Sequence, residues 1–99
     1  MAKITDKYLD ILSNNINELE ESYSVKRIGI FGSIAKGKST SKSDVDIIVE
    51  FKKPIGFFKF IDLETFLSGK LKRKVDLATK KALRPTIKNS ILETTVYVR

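Results

Sequence analysis

The stretch VKRIGIFGSIAKGKSTSKSDVDIIVEF, residues 25–51, decides how this chain is read. Residues 25–31 have strand character, with apolar content rising toward the end, and they run directly into Gly32 and Ser33. Residues 35–43, rich in Lys, Gly, Ser and Thr, follow as a short turn of helix and an exposed loop. Residues 45–51 form a second strand, apolar and β-branched enough to lie inside a sheet, and Lys53 with Pro54 ends it. Where a strand hands over to a helix, backbone N–H groups point outward without an intrahelical partner, and phosphate oxygens fit there. Gly32 allows close approach of the backbone, and the Ser33 hydroxyl adds a donor. A Gly-Ser pair alone is most often a plain turn.

Asp44-Val45-Asp46 enters the second strand, where alternate side chains face the same way, so both carboxylates project from one face. Two such neighbours repel each other unless a cation neutralises them, and magnesium is the usual cation of nucleotide chemistry. Taken alone, the pair is better read as a turn cap at Asp44 and a solvated strand end at Asp46. Asp76 is the third element: in Lys74-Val75-Asp76-Leu77 an acid interrupts a short apolar strand. Alone it reads as a strand-end partner of Lys72 or Lys74. If its strand neighbours the second one, three carboxylates converge, a set able to hold two metal ions about 3.5–4 Å apart.

Outward from this centre, residues 5–23 carry apolar side chains at helical spacing and read as one amphipathic helix capped by Thr5. Residues 55–68, with Phe57, Phe58 and Phe60, read as a helix stopped by Gly69, the phenylalanines being preferred as core. Residues 74–78 form a third strand. Pro85 opens a last helix with Ile87, Ile91 and Leu92 on one face, and residues 95–98 add a small strand. The expected fold is α/β (α+β), a small mixed sheet flanked by helices, in one domain spanning residues 1–99.

Composition narrows the chemistry further. The 99 residues contain no cysteine and no histidine, so thiolate sites, zinc sites and histidine bases lack ligands, and any metal must be a hard ion held by carboxylates. Charged residues among the first twelve interrupt any signal-peptide pattern, and no apolar run reaches membrane-spanning length, so a cytoplasmic protein is expected. The net charge of +7 favours an anionic ligand or partner.

Gly32-Ser33, ten intervening residues and Asp44-x-Asp46 resemble the signature of the nucleotidyltransferase superfamily related to DNA polymerase β. Lys74-Val75-Asp76-Leu77 resembles its third-carboxylate strand, and Phe31-Gly32-Ser33-Ile34-Ala35-Lys36-Gly37 resembles the minimal nucleotidyltransferases, or MNT proteins. The resemblance spans nearly the whole chain. It implies the nucleotidyltransferase fold, with Asp44, Asp46 and Asp76 as catalytic residues and as ligands of two magnesium ions, or manganese in their place. It implies Gly32, Ser33, Lys36 and Ser43 as phosphate and nucleotide contacts. Where relatives often carry arginine, Lys36 keeps the charge without the bidentate fork. The implied reaction moves AMP from ATP to a hydroxyl, that of a tyrosine, on a HEPN-domain toxin, which makes the chain a type VII-like antitoxin.

Three other readings stand beside it. A non-catalytic antitoxin would neutralise its partner by complex formation. A nucleic-acid binder is suggested by the basic residues at 70–74 and 80–81, which lack interleaved aromatics. A small-molecule acceptor would require a pocket for which the chain leaves little room.

Overall fold

The computed structural model describes residues 4–37 and 44–98. Four strands, β1 (Val25–Phe31), β2 (Val45–Phe51), β3 (Val75–Thr79) and β4 (Val96–Tyr97), form one sheet in the order β3-β2-β1-β4. β1 runs antiparallel to both β2 and β4, whereas β2 and β3 are parallel. A parallel pair needs a long crossover, and here it is α4 (Phe57–Leu71). The remaining helices are α1 (Ile4–Asn14), α2 (Ile16–Tyr23), the single turn α3 (Gly32–Ala35) and α5 (Pro85–Thr94), with a 3₁₀ turn at Lys80–Ala82. Among the described residues no helix is long and apolar enough to cross a membrane.

Strand alternation sorts the sheet into two faces. Ile28 and Ile30 of β1, Val45, Ile47 and Val49 of β2, and Val75 and Leu77 of β3 join one core with Tyr8, Leu12, Leu19, Tyr23, Leu63, Leu67 and Leu71. Three helices therefore cover that face. The intervening residues Asp46, Glu50 and Asp76 turn to the other.

Four local features depart from expectation. The N-terminal helix is interrupted at Asn15, whose side-chain amide donates to the Ile11 carbonyl at 2.7 Å while its backbone stands at φ −109° and ψ 11°. An asparagine that competes for backbone partners in this way breaks one helix into two. Thr5 lies inside α1 and is not its cap. The fifth helix begins at Pro85 as expected, but α4 does not stop at Gly69. Leu71 is 4% exposed, and its burial carries the helix two residues further, to a left-handed cap at Lys72 with φ 56°. The preference for a core role also fails for Phe57 and Phe58, which are 72% and 86% exposed, because the core stripe of α4 is Leu63, Leu67 and Leu71; Phe60 alone is half-buried.

Candidate active site

The parallel register of β2 and β3 pairs Asp46 with Asp76, one step before Ile47 with Leu77. Adjacent strands stand about 4.8 Å apart and paired residues share a face, so the two carboxylates lie side by side. Asp44 precedes β2 by one residue and reaches the same end of the strand. Strand pairing thus sets Asp76 beside Asp46, a long-range fact that the spacing alone left conditional, while Asp44 lies just before the same strand end. Burial pushes the Asp46 carboxyl above its ordinary value, and the neighbouring charges of Asp76 and then Asp44 push it further. The cluster repels itself.

Gly32 closes the site from the β1 side. Phe31 pairs with Asp46 across the antiparallel ladder, and the chain turns at Gly32 with φ +75°. A Cβ there would collide with the Asp46 carboxylate, lying 3.0 Å from its Cγ and 3.2 Å from its Cβ. Two constraints therefore select glycine: the left-handed backbone, and the carboxylate packed against it. The sequence reading gave Gly32 another reason, close approach of the backbone to a phosphate, and missed both of these; the contact with Asp46 depends on the strand register. Ser33 occupies the second position of α3, so both residues present backbone N–H groups at the start of that turn. Four residues carry only a small dipole, and individual N–H donors matter more here than the helix as a whole.

The outer contacts are weaker. Lys74 reaches Asp44 at 4.0 Å with 80% of its side chain exposed, a pair that solvent screens strongly. This partnership falls on Asp44, not on Asp76 as the plain strand-end reading required. Lys36 is exposed at the end of α3. Ser43, expected as a nucleotide contact, lies outside the described residues.

Among the described residues no group of three or more acids is gathered closely enough to hold a metal ion unaided. The donor chemistry still suits one. Carboxylate oxygens are ligands for hard divalent cations, and such a cation would offset both the burial and the acidic neighbours that disfavour the Asp46 charge.

Comparison with known proteins agrees with this geometry. Residues 12–98 match the model of the nucleotidyltransferase domain family. A Methanocaldococcus jannaschii chain provisionally named a protein adenylyltransferase is 46% identical, over 97% of this chain and 99% of its own length. The protein adenylyltransferase MntA of Thermococcus cleftensis is 39% identical, over 99% of this chain and 100% of its own. The fold is also similar to a chain in the solved complex of tri-AMPylated Shewanella oneidensis HEPN toxin with MNT antitoxin. The TM-score there is 0.64, with 18% identity over 92% of this chain and 71% of that one. A Gly-Ser turn packed on a strand-end carboxylate, a second acid in register beside it, and relatives matched from end to end lead to one assignment: the chain belongs to the nucleotidyltransferase family, among its minimal, MntA-like members.

Proposed function

We propose that the protein is a metal-dependent protein adenylyltransferase that moves AMP from ATP to a tyrosine hydroxyl of a HEPN-domain toxin and so acts as its antitoxin. The observation that carries this reading is the Asp46–Asp76 register pair lying under Gly32, with Asp44 at the same strand end. Support for the acceptor class comes from the adenylyltransferase relatives, and support for the toxin from the complex whose matched chain shares this fold.

Asp44, Asp46 and Asp76 are the residues that would hold magnesium or manganese. Such a cation, when bound, neutralises the triphosphate and acidifies the acceptor hydroxyl. The backbone N–H groups at Gly32 and Ser33 donate to oxygens of the β- and γ-phosphates and stabilise the charge that develops on the leaving group. Lys36 adds positive charge nearby. Asp76, the most exposed of the three acids, accepts the acceptor's proton as its oxygen bonds to the α-phosphorus. The bond from that phosphorus to the bridging oxygen breaks, and pyrophosphate leaves.

The test is incubation with magnesium, α-labelled ATP and the HEPN-domain protein of the same source, comparing wild type with an Asp44→Asn, Asp46→Asn double variant. Label on the partner that disappears in the variant supports transfer through these carboxylates. No label, with a stable complex formed by both versions, contradicts it and leaves neutralisation by occlusion.

A further inference from the structure

Away from the carboxylates, the far ends of β2 and β3 and the start of α4 enclose an open groove of about 770 Å³. Its floor is apolar, made by the half-buried Phe51 and Phe60. Lys26, Lys53, Lys81 and Lys88 stand around it, and none of the four forms an ion pair among the described residues. Glu50, the acid within the groove, is already shared by Arg27 at 3.7 Å and Lys80 at 3.9 Å. The groove therefore carries uncompensated positive charge around an apolar centre.

Beside it, α4 exposes Phe57 (72%), Phe58 (86%) and Ile61 (41%). Phe57 and Ile61 are four residues apart and so lie on one stripe of the helix. Phe57 also lines the groove, so the stripe and the floor are continuous. Contiguous exposed apolar surface with a charged rim is the anatomy of a protein contact.

We propose that this surface docks an acidic, amphipathic segment of a partner protein, its apolar side chains on Phe51, Phe57 and Phe60 and its carboxylates on the four lysines. Single-stranded nucleic acid would also answer the charge, but its bases need separated aromatic faces. Phe57 and Phe58 pack edge to face on each other, with centroids 5.8 Å apart and planes at 68°, which leaves no pair of parallel faces for successive bases. The inference rests on the reading that the acceptor is a protein. Glu50 follows Asp46 by four residues on the same strand, a span of about 13 Å at 3.3 Å per residue, so a docked partner would have its neighbouring surface within reach of the carboxylates.

The experiment measures fluorescence anisotropy of two probes against the whole protein: an amphipathic peptide of about 14 residues with leucines at i, i+3, i+4 and i+7 and glutamates elsewhere, and a labelled oligouridylate. The expected result is peptide binding that weakens about tenfold or more in Lys53→Glu, Lys81→Glu, Lys88→Glu and in Phe57→Ser, Phe58→Ser, and that weakens with added salt. Lys53, Lys81, Phe57 and Phe58 are exposed and Lys88 is half-buried, and melting curves verify that the variants fold. Peptide binding indifferent to both variants, or no peptide binding, overturns the proposal. So does tighter oligouridylate binding lost in the same variants, which would assign the groove to single-stranded nucleic acid. Asp46→Asn separates this surface from the transfer reaction: it should bind the peptide as wild type does, so a failure of the adenylyl-transfer reading leaves the groove measurement intact.

Discussion

Asp46 and Glu50 lie on the same face of the same strand, four residues apart, and the fold treats them in opposite ways. Glu50 meets cations: Arg27 is its cross-strand partner and Lys80 approaches from beyond β3. Arg27 is steadied in turn by the Tyr97 ring, 3.8 Å from its guanidinium carbon. Among the described residues no cation pairs with Asp46; burial first, and then the charges of Asp76 beside it and Asp44 before it, push its carboxyl above the ordinary value. One acid is paired with cations from within the chain, whereas the other has no cationic partner among the described residues and, in the function proposed above, is neutralised by a bound cation. On the proposed reading, that contrast separates a structural carboxylate from a functional one, although both are acids on one strand.

The largest expected effect comes from removing the charge at the unneutralised end. If the proposed function holds, Asp46→Asn should lower AMP transfer by about a thousandfold, since it would delete a metal ligand worth several kcal/mol of transition-state stabilisation. In metal-free buffer the same change should stabilise the fold above the ordinary carboxylate range. The sign follows from the raised value: wild type is favoured while Asp46 is protonated, and it loses stability as the pH rises from the unfolded carboxyl value through the higher folded one. Melting temperature against pH, measured with a chelator present, should show this fall in wild type and a smaller fall in the variant.

Gly29→Ala sharpens the contrast from the other end. A Cβ at Gly29 would lie 2.8 Å from Thr95 Cγ2, 2.9 Å from the Val96 carbonyl oxygen and 3.0 Å from Tyr97 Cδ1. β4 must shift, and with it the ring under Arg27. A loss of about 1–3 kcal/mol in urea unfolding is expected. Glu50→Gln should cost less, about 1 kcal/mol, because its ion pairs are long and partly exposed, and it should leave transfer nearly unchanged. Transfer lost in a folded Glu50→Gln protein would break the comparison. The smallest effect belongs to a position outside both ends: Lys72→Gly relieves a left-handed backbone at the end of α4 and should add about 0.5–1 kcal/mol without altering transfer.

The comparison also explains what could be read in the sequence. β1, the Gly32-Ser33 turn, β2 and the strand around Asp76 follow from local pattern and spacing, and so does the start of α5 at Pro85. Local chemistry at those positions agrees with the fold. The contact between Gly32 and Asp46, the Arg27–Glu50 pairing and the convergence of Asp76 on Asp46 depend on strand order and register, which link residues far apart in the chain. Glu50 and Asp46 are indistinguishable as letters. Phe57 and Phe58 misled for a related reason: a phenylalanine cluster at helical spacing names a helix, but Leu63, Leu67 and Leu71 decide which stripe is buried.

The most direct test of the central claim is the melting temperature of wild type and Asp46→Asn as magnesium is added. Without metal the variant should melt higher; with magnesium wild type should rise, as a ligand that binds the native state requires, and the variant should stay where it was. Equal shifts in both proteins, or none in wild type, would contradict the assignment of these carboxylates as the metal-holding site.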